Sequence, residues 1–180
     1  MNKFAVSIAN PYIFAFTKNV SVALILMCVA LGWKKQSEIR KLSKKQWVRL
    51  IVIGLIGGSI PFLLFFKGLS MTSAAQGSFI HKSMFIFTAI GAVIFLKEKI
   101  NKSFVVGTLL LFLGNFFILK TLHFSLGIGD FCVFLAVLLW SAENILSKIA
   151  LSELDGKMVA WGRMLFGSIF ILLFLVATGQ

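Results

Sequence analysis

The chain has 180 residues, of which 59% are apolar and only 13% charged, with a mean hydropathy of +0.98. No soluble domain of this size needs that much apolar surface, so lipid is the solvent for most of it. A formal net charge of +12 would suggest a nucleic-acid partner in a soluble protein, but the basic residues sit in short gaps between apolar runs and form no basic face interleaved with aromatics, which excludes that reading.

About 20 apolar residues of α-helix cover the roughly 30 Å hydrocarbon core while satisfying their own backbone hydrogen bonds. Six stretches predict such helices: Tyr12 to Trp33, Leu50 to Phe66, Thr72 to Leu96, Phe104 to Leu119, Phe131 to Ser147 and Met158 to Thr178. The fold class is therefore an all-α, polytopic membrane helix bundle. Short linkers such as KGLSMTS, KEKINK and LGIGD separate the helices, so sequential helices should be antiparallel neighbours. Cys28 and Cys132 lie inside apolar runs without a spacing partner, so no metal site is expected.

Alternate linkers lie on opposite sides of the membrane. Lys34, Lys35, Arg40, Lys41, Lys44, Lys45, Arg49, Lys97, Lys99, Lys102, Lys148 and Lys157 gather on one side, against Lys3, Lys67 and Lys120 on the other. That bias places the 34–49, 97–102 and 148–157 connections in the cytoplasm, as expected in a plasma (inner) membrane.

Shifted by 145 residues, NKFAVSIANPYIFAFTKNVSVALIL from Asn2 aligns with SKIALSELDGKMVAWGRMLFGSIFI from Ser147 without a gap. Lys3/Lys148, Ala5/Ala150, Ser7/Ser152 and Ala15/Ala160 are identical, and Lys18/Arg163 match in kind. Inverted repeats of this type build many transporters. On this alignment the first repeat covers 1–122 without its leading helix, and 123–180 begins a second. The chain is expected to be truncated at both ends, and an odd number of helices per repeat turns the second upside down.

The run TSAAQGSFIHKSMFIFTAIGAVIFLKEKI into VVGTLLLFLGNFFIL, with GDFCVFLAVLLWSAENILSKIAL after it, resembles the EamA repeat of the drug/metabolite transporter superfamily. A small-residue entry, a polar break, an apolar helix ending in Leu-x-Glu and a Gly-x6-Gly helix follow in that family's order. The resemblance implies ten helices in two inverted five-helix halves, about six of them here. The family often has Pro where Ser83-Met84 stands.

Ionisable residues inside a span cost about 2.5–3.5 kcal/mol each, so each needs a partner or an aqueous cavity. Lys18, Lys82, Glu143 and Arg163 are such residues. Glu143 and Arg163 both lie roughly 10 Å from the cytoplasmic boundary at a 1.5 Å rise per residue. They are candidates for a structural ion pair, for proton coupling or gating by Glu143, or for mere coincidence of depth. Ser78, His81 and Lys82 project within about 100° of one another and make a candidate pocket wall. With Lys18 they form the substrate-binding set, favouring an anionic or zwitterionic small molecule. The bland alternatives are a Lys that snorkels to the headgroups and, for Lys82, pairing with an acid in a missing helix. Gly57, Gly58 and Pro61 are expected to break the 50–66 helix. Gly54-x3-Gly58 and Gly107-x6-Gly114 place small residues for close helix contact. Trp140 and the Phe residues read as lipid-facing or packing groups, and His123 as a solvated loop residue.

No HExxH, GxSxG, catalytic triad spacing or phosphate loop is present, so neither an enzyme nor a cofactor is expected. The leading reading is a secondary transporter of small metabolites or drug-like solutes working by alternating access. The alternative is a non-transporting membrane scaffold or partner subunit. A homodimer mate or a second half-chain is open as a partner, alongside the lipid bilayer.

Overall fold

A computed structural model describes residues 2–31, 39, 41–99, 101–120 and 127–180, and among them every regular element is helical. The expectations for Lys34, Lys35, Arg40 and His123, and the repeat boundary at 122/123, lie outside the described residues.

A short helix, Asn2–Ile8, precedes Pro11–Leu31. Asn10 caps the second helix by accepting from the Tyr12 amide at 2.9 Å, and Pro11 opens it where no amide is needed. The next helix starts at Lys44, six residues before the apolar run, because Ser43 and Gln46 form a reciprocal capping box. It continues to Met71 as Lys44–Ile53, a π-helical turn Gly54–Ser59, and Ile60–Met71. Ala74–Lys82 and Met84–Leu96 follow, bent at Ser83, whose amide is shared between the carbonyls of Phe79 and Ile80. Lys97, in the left-handed region at φ 55°, stops that unit. Lys102–Lys120, Ile128–Ala150 and Gly156–Thr178 complete the set. The last begins as the second did: Asp155 accepts from the Lys157 amide at 2.8 Å. The two caps are 145 residues apart.

Pro11–Val29, Lys44–Met71, Ala74–Leu96, Ile128–Ala150 and Gly156–Thr178 are each long and apolar enough to span a bilayer. The sixth expected stretch is also helical, as Lys102–Lys120, with its shorter apolar part at Lys102–Gly114. The chain is a multi-pass, all-α membrane bundle.

The interruption expected at Gly57, Gly58 and Pro61 takes the form of a widened turn: the 44–71 helix does not unwind but takes in one extra residue. The Ile60 amide reaches back five residues to the Leu55 carbonyl, and the extra residue absorbs Pro61 without a gap in the helix. Pro61 has no N–H to donate to the carbonyl four residues earlier, that of Gly57. Side chains of other helices take that carbonyl instead.

The 44–71 helix crosses the last two helices almost backbone to backbone. A Cβ added at Gly58 would stand 2.2 Å from the Arg163 carbonyl, one at Gly54 2.4 Å from Phe166 Cβ, and one at Gly167 2.4 Å from the Gly58 carbonyl. Lipid tails are as apolar as Leu, so helix association in a bilayer depends on such close packing. At the basic end, Leu50, Ile53, Ala150 and Val159 form an apolar cluster. There Arg49 Nη1 meets Glu153 Oε2 at 2.7 Å and Lys148 pairs with Glu98. At the opposite end, Lys3 Nζ donates to the carbonyls of Leu69 and Ser70, and Thr72 Oγ1 to Asp130 Oδ1. These contacts fix the alternating direction of the helices.

The Gly107/Gly114 face does not pack as its spacing suggested. Among the described residues nothing lies within 4 Å of a Cβ at either position. The reason is placement: the 102–120 helix rests on Ala74–Lys82, where Phe79 and Phe112 meet at 5.6 Å, while Leu110 and Phe117 on its free side are 65% and 67% exposed.

Candidate functional site

A cavity of about 630 Å³ lies among the helices. Lys3, Leu69 and Ala74 line it near the end opposite the basic loops, and Asn144 and Arg163 line it at depth. Arg163 is seven residues beyond the start of its helix at Gly156, which puts it about 10 Å from the basic end. Between these limits the wall is mainly aromatic, built from Phe62, Phe65, Phe66, His81 and Trp140.

Of the residues expected at a site, Lys18, Ser78, His81 and Arg163 come together in this wall. Lys82 does not: it is exposed, and the cavity takes Ala74, Ser78 and His81 from its helix. Those three follow a spacing of four and three residues along one helix face, whereas Lys82 is turned about 100° from His81.

Glu143 sits behind the wall. Its side chain is 2% exposed, Oε2 is 3.3 Å from Arg163 Nη2, and Oε1 accepts from Ser147 Oγ at 2.5 Å. The Arg163 contact is an ion pair by distance in which Oε2 makes no hydrogen bond. Gly57 makes room for it, since a Cβ there would stand 2.2 Å from Glu143 Cγ. The Gly57 carbonyl, denied its Pro61 donor, accepts from Trp140 Nε1 at 2.9 Å and from Arg163 Nη2 at 3.3 Å. The Gly58 carbonyl accepts from Asn19 Nδ2 at 2.5 Å. The widened turn is thus the hub that orients Trp140 and Arg163 at the deep end of the cavity.

Lys3, Lys18 and Arg163 line the cavity, and among the described residues no Asp or Glu does. Lys18 has no carboxylate partner among the described residues; its Nζ lies 5.5 Å from the centre of the Phe66 ring, a cation–π distance. Such a chamber suits reversible binding of a small solute by charge and ring contact.

Sequence reasoning missed Trp140, Asn19 and Asn144. The two Asn residues carried the same signal as the charged groups, a polar side chain inside a span, and Trp140 lies one helical turn before Glu143 on the same side. Phe62, Phe65 and Phe66 had no signal of their own among twenty Phe residues.

A multi-pass bundle with an internal polar and aromatic chamber is the architecture of a solute-handling membrane protein. The chain belongs to the EamA-like transporter family, whose model matches residues 1–120. It is 33% identical over 136 residues to the uncharacterized transporter YyaM of Bacillus subtilis, covering 71% of this chain and 42% of that protein. It is also 25% identical over 175 residues to an uncharacterized transporter of Archaeoglobus fulgidus, covering 94% of this chain and 59% of that one. A Synechocystis relative, the uncharacterized transporter sll1164, is 26% identical over 172 residues, with coverages of 88% and 49%. The chain spans about half the length of the curated relatives it matches.

Proposed function

We propose that this chain takes part in secondary transport of a small polar metabolite or drug-like solute across the plasma (inner) membrane by alternating access. The observation that carries the reading is the chamber among the spanning helices, with Lys18, Ser78, His81 and Arg163 in its wall and with family membership behind it. The 34–49, 97–102 and 148–157 connections face the cytoplasm, so the mouth by Lys3 opens outward. Residues 1–122 act as one EamA repeat and 123–180 as the start of an inverted second; the Asn10 and Asp155 caps, 145 residues apart, support that division. Glu143 holds Arg163 at the deep end of the chamber, where the pair serves in coupling or gating.

Counterflow of a labelled metabolite panel into liposomes carrying the full-length protein tests the reading. Exchange above that of empty liposomes is expected for at least one solute. Its absence throughout, from correctly inserted protein, would overturn transport in favour of a scaffold role.

A further inference from the structure

We propose that the cavity selects an aromatic carboxylate, with its ring against Phe65, His81 and Trp140 and its carboxylate on Lys18 and Arg163. The inference rests on the transporter reading for the site and goes further in naming what the site prefers.

The rings form a closed triangle. Phe65 and His81 are 5.2 Å apart, Phe65 and Trp140 5.3 Å, and His81 and Trp140 5.4 Å, with the last pair at 87° to each other. Phe62 adds a fourth ring, edge-on to Trp140 at 5.3 Å and 85°. This is the separation at which aromatic edges and faces attract. The Trp140 N–H is already given to the Gly57 carbonyl, so its indole offers a guest only face and edge. A planar ring laid against the cavity-facing side of that cluster gains face and edge contacts, and a saturated ring of the same size gains less.

Charge sets the other half of the choice. Lys3 donates to two carbonyls and Arg163 shares Glu143, whereas Lys18 lies over the Phe66 ring and has no carboxylate among the described residues. A carboxylate arriving beside it supplies the missing counter-charge, and a guest ammonium would meet like charge without a wall carboxylate to receive it. Asn144 makes no hydrogen bond to the described residues and lines the same deep end, where it can donate to a guest oxygen. A volume of about 630 Å³ falls within the usual range for small-molecule sites.

Calorimetric titration of the 180-residue chain in lipid nanodiscs, corrected with empty nanodiscs, tests the inference with phenylacetate, phenethylamine and cyclohexylacetate. Phenylacetate should bind about tenfold more tightly than either of the others, a ratio in keeping with ring-pair and charge terms. Lys18→Gln should weaken phenylacetate about tenfold and Lys18→Arg should restore it, so a variant that fails to fold does not decide the outcome. Trp140→Leu should abolish the advantage over cyclohexylacetate. Equal or tighter binding of phenethylamine, indifference to Lys18→Gln in folded protein, or no binding of phenylacetate would each overturn the proposal. The transport reading fails separately: exchange of another solute without phenylacetate binding sinks only the aromatic-acid selectivity, and phenylacetate binding without exchange of any solute sinks only transport.

Discussion

Gly54 and Gly58 in the 44–71 helix and Gly107 and Gly114 in the 102–120 helix look alike in sequence, small residues repeated on one helix face. The first pair lies where two backbones nearly touch, and a Cβ at Gly58 would stand 2.2 Å from a carbonyl. The second pair has nothing within 4 Å among the described residues. Small residues permit close approach, but the partner's placement decides whether it happens. The same contrast separates the polar groups: Arg163 and Glu143 meet beside the tight crossing, whereas the 102–120 helix turns an apolar surface outward.

The comparison breaks most severely at Gly58. Gly58→Val should cost more than about 4 kcal/mol, because the Arg163 backbone cannot yield as a flexible side chain would. Failure to recover folded protein from detergent extracts, while Gly107→Val is recovered normally, would be the readout. Next in size, Arg163→Met leaves Glu143 buried without its cation, and about 3–5 kcal/mol of stability should go with it; thermal unfolding in detergent measures this. A much smaller effect is expected for Gly107→Ala with Gly114→Ala. Each removes a weak helix former from an open face, so the pair should be neutral or stabilising by about 1 kcal/mol per site at most.

The smallest effect is at the basic end. The Arg49 guanidinium, 2.7 Å from Glu153 Oε2, holds the exposed Glu153 carboxyl below its ordinary value of 4.5. A depressed carboxyl stabilises the fold above that ordinary value and loses its contribution as pH falls through the lowered one. Melting curves between pH 6 and 3 should therefore show a slight acid sensitivity, weaker at high salt, that Glu153→Gln removes.

Much of the fold was legible because lipid imposes a coarse rule: apolar length sets the spans, and each expected stretch contains a helix. The missed boundaries come from chemistry that hydropathy ignores, such as the Ser43/Gln46 box that starts a helix among charged residues. Gly57 and Pro61 marked a local irregularity, but whether the helix opens or widens depends on the helices crossing it. At the site, intramembrane charge located Lys18, Arg163 and Glu143. It also singled out Lys82, which stands exposed outside this cavity's lining, because angular grouping on one helix does not say which flank faces a cavity. Trp140 stayed hidden because an aromatic in a membrane helix reads first as lipid contact, and only the Gly57 carbonyl across the bundle gives it another role.

Ser78 borders the chamber among the helices, whereas Gly107 stands on the open outer face of the 102–120 helix. In protein whose Cys28 and Cys132 are replaced by Ala, single Ser78→Cys and Gly107→Cys variants can be treated in intact membranes with a charged, membrane-impermeant thiol reagent. Rapid labelling at 78 with none at 107 is the predicted result; a silent Cys at 78, or equal labelling at both, would contradict the account.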